Sequence, residues 1–361
     1  MSTEPYLLPP QIIKPPTESY ADQHRMFQGI PGIERAPNGR FWATWYGGGI
    51  EEDGHNYILL ATSTQAESWS SAVMILDHPD GGLVRAYDPC LWHDPQGKLW
   101  LFWAQGYAKH TDERSGVWAI VTENSDVENP TWSTPTRICD GIMMNKPTVL
   151  QSGDWVLSVA RWFEEGSAGV VSTSDQGKTW SLLGQANVPQ KEDRSCDEHM
   201  IVERKDGSLW MLVRTKYGIG ESVSNDHGQT WSPVTPSSIQ HTVSRFFIRR
   251  LQSGNLLLVK HGAIAEKTKR SHLMAFLSQD DGDTWEGGLL LDERLHVSYP
   301  DAVEAPDGTI TLIYDYDRKG DKKILLAQVV EADILQGACV SDQAKLQILV
   351  NQAFGKKPNA T

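Results

Sequence analysis

Short runs of aliphatic, aromatic and β-branched residues recur along this chain, bounded by Gly, Pro, Asn, Asp and Ser. That pattern predicts strands joined by tight turns rather than helices. One turn recurs six times: Pro37-Asn38-Gly39, Pro95-Gln96-Gly97, Gln151-Ser152-Gly153, Lys205-Asp206-Gly207, Gln252-Ser253-Gly254 and Pro306-Asp307-Gly308. Its glycines lie 47 to 58 residues apart, each between two apolar runs. Each stands where a hairpin needs positive φ. A third apolar run follows in every unit, as in Ala168–Thr173, Ile219–Ser224 and His272–Ser278. Then comes a second repeated turn, Ser174-Asp175-Gln176-Gly177-Lys178-Thr179-Trp180, with copies ending at Trp231 and Trp285 and decayed copies ending at Trp69 and Trp132. Its chemistry is local: an acidic side chain caps turn amides, Gly takes positive φ, and Trp packs beneath.

Six such units of about 50–60 residues, each with three or four antiparallel strands, predict an all-β, six-bladed β-propeller. The expected domain spans residues 1–340. The sixth unit is one strand short, and the apolar segment Tyr6–Ile13 is expected to supply that outer strand and close the ring. Residues 341–361 read as a C-terminal tail. Ser341 is its candidate N-cap, and Ala344, Leu346, Ile348, Leu349 and Val350 suggest a short packed helix.

Composition narrows the function. The net charge is −13 over 361 residues, which argues against nucleic acid or an anionic membrane as the main partner. No apolar run reaches the ~20 residues of a spanning helix. The start shows no basic-then-apolar leader, so the expected location is cytoplasmic. The four cysteines, Cys90, Cys139, Cys196 and Cys339, form no C-x-x-C pair. Neither a zinc site nor a disulfide framework is expected, and no cofactor motif is visible.

In a propeller, the residues just before the first strands and just after the second strands crowd one mouth. The entry positions hold Tyr87 and Asp88, Asn145 and Lys146, Glu198 and His199, Ser244 and Arg245, and Ser298 and Tyr299. The exit positions hold Tyr46, Gln105, Arg161, Arg214, Lys260, His261 and Asp315. Carboxylates, cations, His and Tyr converge there, which is the usual signature of a site.

At this level the sequence resembles the sialidase (neuraminidase) superfamily, whose Asp-box repeats match the Ser-x-Asp-x-Gly-x-Thr-Trp turns. The run from Glu198 through Glu203, Asp206 and Gly207 to Arg214 looks like the segment carrying the catalytic Glu and one triad arginine. Arg270-Ser271-His272-Leu273 looks like the segment of the next arginine. Ser298-Tyr299-Pro300-Asp301, with Gly308, Tyr314 and Asp315, looks like the segment of the nucleophilic Tyr. The likeness runs over roughly residues 25–330. One element departs: where sialidases open with Arg-Ile-Pro, this chain reads Gly29-Ile30-Pro31. The first triad arginine is missing, and Arg25 is merely near in sequence.

The resemblance implies a glycoside hydrolase acting at a terminal acidic sugar of an oligosaccharide. Tyr299 would be the nucleophile, Glu198 its base, and Asp53 the nearest candidate acid, with Glu52 and His55 as rivals. Arg214 and Arg270 would grip a carboxylate, while Lys146, Asp88, His199 and Arg245 would set sugar preference. A Tyr hydroxyl is a poor nucleophile unless a carboxylate takes its proton, and sialidases are the known Tyr exception among glycosidases. Two other classes fit the same mouth: a polysaccharide lyase using Tyr299 or His199 on a uronic acid, and a non-catalytic carbohydrate-binding propeller.

Overall fold

In the computed structural model, which describes residues 4–108 and 114–356, the strands sort into six antiparallel sheets. Five sheets have four strands and the first has five. The inner strands are Gln28–Arg35, Val84–His93, Thr148–Val149, Asp197–Glu203, Phe247–Arg250 and Val297–Glu304. Those of the first and last blades pack side by side, so the ring closes as a six-bladed propeller. All six Gly turns join inner strands to second strands, and their glycines hold φ between 80° and 93°.

The Asp-box turns form as their chemistry requires. Asp226 Oδ1 accepts the Thr230 amide at 2.8 Å and the Ser224 hydroxyl at 2.8 Å, while Trp231 Nε1 donates to the Gly228 carbonyl at 2.9 Å. Asp175 and Asp280 repeat the amide bond at 2.9 and 2.8 Å. Gly282 shows why glycine is needed there: its φ is 97°, and a Cβ would lie 2.5 Å from the Trp210 ring.

The ring closes differently from the expectation. The N-terminal strand Gln11–Ile13 pairs with Met74–Asp77 and becomes a fifth strand of blade one. The outer strand of blade six is Lys345–Gln352, in the tail expected to be helical. The physical reason is period: Leu346, Ile348 and Val350 alternate toward the sheet while Lys345, Gln347 and Leu349 stay exposed. The helix lies earlier, at Glu331–Gln336, and ends at Gly337 with φ 63°. Ser341 does not cap a following helix; its amide and hydroxyl bond Asp333 of the preceding one. Blades one and six meet through an apolar cluster that includes Ile33, Trp45, Leu59, Ile313, Leu326 and Val350. Asn351 adds a polar tie, accepting from Arg25 at 2.9 Å and Gln28 at 3.0 Å.

Candidate active site

Four inner strands carry the same distortion at the same level. Pairing with the second strand slips between Gly29 and Gly32, Tyr87 and Cys90, Asp197 and Met200, and Ser298 and Asp301. Inside these bulges Ile30, Asp88, Glu198 and Tyr299 hold φ of 57°, 50°, 41° and 56°. A bulge re-aims a side chain, and each left-handed non-Gly residue costs on the order of 1–3 kcal/mol. Four such strains at one ring level turn three polar side chains toward a common region.

Tyr299 and Glu198 meet there. The phenol donates to Glu198 Oε1 at 2.9 Å and accepts from Arg214 Nη1 at 3.0 Å. Arg214 Nη1 also bonds Glu198 Oε1. All three residues are buried. Burial, with the Glu198 charge added, pushes the Tyr299 phenol well above its ordinary range, and the nearby arginines oppose the shift. The phenol is therefore neutral at rest, with a carboxylate oxygen in hydrogen-bond reach.

Two more arginines lie over the Tyr299 ring, Arg318 at 5.0 Å and Arg270 at 5.5 Å from its centroid. Both line a cavity of about 540 Å³ whose walls include Glu51, Glu52, His296, Ser298 and Lys319. Arg318 bonds Glu52 at 2.7 Å. Asp88 is 2% exposed. Burial pushes its carboxyl up to about 8; Arg85 opposes the shift, while Glu52 and Glu198 add to it. Asp88 is thus protonated at neutral pH, a condition that a general acid must meet.

Four sequence candidates sit elsewhere. Asp53 faces its own loop, where its carboxylate accepts the amides of Ile50 at 3.0 Å and His55 at 2.9 Å; Glu51 and Glu52 are the acids that this loop delivers to the cavity, and Glu52 is the one that meets Arg318. Lys146 is sunk in the axis, bonded to Glu34 at 2.7 Å and to the carbonyls of Ile33 and Leu91, with Asp301 at 3.3 Å. Arg245 is 1% exposed and donates to Asn145 at 2.7 Å. His199 is buried, and its Nε2 lies 2.7 Å from the Gly169 carbonyl. Burial lowers this imidazole to about 4, so it is neutral and donates through Nε2. These are interior ties rather than wall groups of the cavity. Arg25 is likewise spent inside, on Gln28, Asn351 and the Tyr20 carbonyl. Sequence reasoning missed Arg318, which lies three residues beyond the exit position Asp315. The bare Gly29 was the available signal.

Two further cavities, of about 290 and 410 Å³, flank Phe247 and Arg249 toward the turn ends of the inner strands. None of the three cavities is lined by Tyr299, Glu198 or Arg214, but the 540 Å³ one adjoins the Tyr299 ring through Arg270 and Arg318. Among the described residues no cluster of three His, Cys, Asp or Glu is placed to hold a metal, and no helix is long and apolar enough to cross a membrane.

Comparisons with known proteins agree with this architecture. The chain is similar in structure to the Hadza microbial sialidase Hz136, at 19% identity and a TM-score of 0.66, over 82% of this chain and 64% of that one. It is similar to a leech intramolecular trans-sialidase complexed with 2,7-anhydro-Neu5Ac, at 14% identity and a TM-score of 0.67, over 92% and 71% of the two chains. A Penicillium chrysogenum α-L-arabinanase complexed with arabinobiose matches at 15% identity and a TM-score of 0.60, over 91% and 99%. At these identities the likeness shows a fold shared with sialidases and an arabinanase. No curated protein matches the sequence significantly. The BNR repeat-like domain matches residues 39–312, most of the ring, and the chain belongs to that family.

Proposed function

We propose that this protein is a glycoside hydrolase that removes a terminal acidic sugar from an oligosaccharide. The observation that carries the reading is the buried triangle of Tyr299, Glu198 and Arg214, with its bonds of 2.9 and 3.0 Å to the phenol. A neutral phenol suits an anionic substrate because it places no second negative charge beneath the sugar. In the proposed reaction the Tyr299 oxygen attacks the anomeric carbon while its proton passes to Glu198. The bond to the glycosidic oxygen breaks, and that oxygen takes the proton of Asp88. Water then attacks the anomeric carbon of the tyrosyl glycoside and gives a proton to the Asp88 carboxylate, while Glu198 returns its proton to the departing Tyr299 oxygen; both carboxyl groups regain their starting states and the sugar leaves with retained configuration. In this reading Arg270, with the unshared side of Arg214, would hold the sugar carboxylate. The lyase alternative is weakened in its His199 form, since that ring donates to the Gly169 carbonyl.

The test is product analysis on glycans ending in N-acetylneuraminic acid, in uronic acids, and on neutral arabinan. Hydrolysis adds one water to the products, visible by mass spectrometry. A lyase instead leaves an unsaturated, ultraviolet-absorbing sugar. Cleavage of arabinan with none of the acidic glycans, or binding without cleavage, would overturn the proposal.

A further inference from the structure

Gly29 and Arg318 compete for one space. A Cβ on residue 29 would lie 2.2 Å from Cδ and 2.5 Å from Cγ of Arg318. These are mid-chain methylenes, so no end-group rotation relieves the clash. The Arg318 stem therefore passes where a side chain at position 29 would begin. Its head then reaches the cavity over Tyr299. Two of the three guanidinium nitrogens face acids: Nη1 bonds Glu52 at 2.7 Å, and Nε lies 3.8 Å from Asp315 Oδ2. Among the described residues, Nη2 has no hydrogen bond. The backbone is tied as well, because the Arg318 carbonyl accepts the Gln28 amide at 3.3 Å.

We infer that Arg318, supplied from the loop after blade six, is the third carboxylate-binding cation of the mouth, and that Gly29 is bare to let it through. This rests on the acidic-sugar reading. The arrangement leaves three guanidinium groups around one phenol, two over its ring and one on its oxygen. The uncommitted Nη2 leaves donors for a carboxylate. The bland alternative is that Arg318 is only a strap: Glu52 with Arg318 and Glu51 with Lys319, at 3.1 Å, tie two loops together across the mouth.

The experiment uses the full chain and calorimetric titration with N-acetylneuraminic acid, glucuronic acid and their methyl esters. Arg318→Ala is expected to weaken the better acid about 10–100-fold, as for a lost charge-assisted hydrogen bond, and to leave the ester little changed. Loss of a strap alone would instead weaken acid and ester alike. In the Arg318→Ala background, Gly29→Arg should recover part of the affinity, since the nearest remaining atom is Asp315 Oδ2 at 3.0 Å. Gly29→Ala alone should lower the melting temperature, and less so once Arg318 is Ala. Equal weakening of acid and ester by Arg318→Ala would make Arg318 a strap and overturn the inference. So would wild-type affinity in Arg318→Ala alongside a loss in Arg270→Gln, an outcome that leaves the acidic-sugar reading standing. Failure of wild type to prefer either acid over its ester would overturn both.

Discussion

The phenol of Tyr299 donates a 2.9 Å hydrogen bond to Glu198, joining blade six to blade four across the ring. Both residues hold positive φ inside a strand bulge, so the contact depends on two strained backbones agreeing. Tyr299→Phe keeps the ring and its cation contacts but removes the attacking oxygen. A loss of at least about 100-fold in kcat is expected, as for one essential catalytic group. The hydroxyl is buried rather than facing solvent, so a stability loss of about 1 kcal/mol should accompany it. Glu198→Gln should show a similar kinetic deficit, and the double variant should be little worse than either. Near-normal turnover of Tyr299→Phe would remove the nucleophile assignment.

Lys146 provides a contrasting case. Its ammonium group neutralises Glu34 and faces Asp301, and all three side chains are under a tenth exposed. Lys146→Met leaves Glu34 with His93 alone and Asp301 with Arg245 at 3.8 Å. Removal of one partner from a buried pair typically costs about 3–5 kcal/mol. Chemical denaturation should show that loss, while KM of the folded fraction stays near wild type. A stable variant with a raised KM would return Lys146 to the substrate site.

The acidic loop after the second strand of blade one separates two neighbouring carboxylates by task. Asp53 holds loop amides, and Glu52 meets Arg318. Asp53→Ala should raise amide exchange and protease cutting within residues 47–56, with a cost near 1 kcal/mol. Glu52→Gln should leave those readouts unchanged and alter kcat/KM. The reverse pattern would restore Asp53 as the acid to pursue.

The blades were legible because their signals are local. A Gly at positive φ and an Asp that caps turn amides need only their own few residues, so Gly39 and Asp226 announce hairpins wherever the chain goes. The mouth was legible as a level of the ring, since strand entry and exit positions fix which residues gather there, and Tyr299, Glu198 and Arg214 follow from that rule. Depth along the axis was not. Lys146 and Arg245 enter strands at the same nominal level but turn into the channel, where Glu34, Asn145 and Asp301 satisfy them. Arg318 was hidden because its role depends on a loop crossing Gly29, about 290 residues away in the chain, a relation that no local pattern records. The last strand was misread for a third reason. Leu346, Ile348 and Val350 alternate, while Leu346, Leu349 and Val350 fall at helical spacing, and pairing with Lys323–Val329 decides between them.

Asp88 ties stability to pH in a direction opposite to a salt-bridged carboxylate. Burial raises its folded pKa to about 8, above the ~3.9 of an unfolded Asp. The folded state therefore holds a proton that the unfolded state has lost. Stability from this group is full below the unfolded value and falls as pH rises, until it levels off above about 8. The buried imidazoles act the other way. Burial lowers His199 and His261 to about 4, so their contribution falls as pH drops below the ordinary His value of ~6.5. Burial also shifts Asp197 and Lys260 to about 7, so the Asp88 slope is read as a difference from a variant that lacks only this titration. Asp88→Asn cannot ionise. Relative to this variant, wild type should lose on the order of 2 kcal/mol of unfolding free energy between pH 6.5 and 8, at ~1.4 kcal/mol per pK unit. Urea titrations of both proteins at several pH values measure that difference directly. The same proton should be the one given to the leaving oxygen, so kcat/KM of wild type should fall on the alkaline side near pH 8. Parallel stability curves for the two proteins would show that Asp88 is ionised across this range, and would withdraw it as the acid.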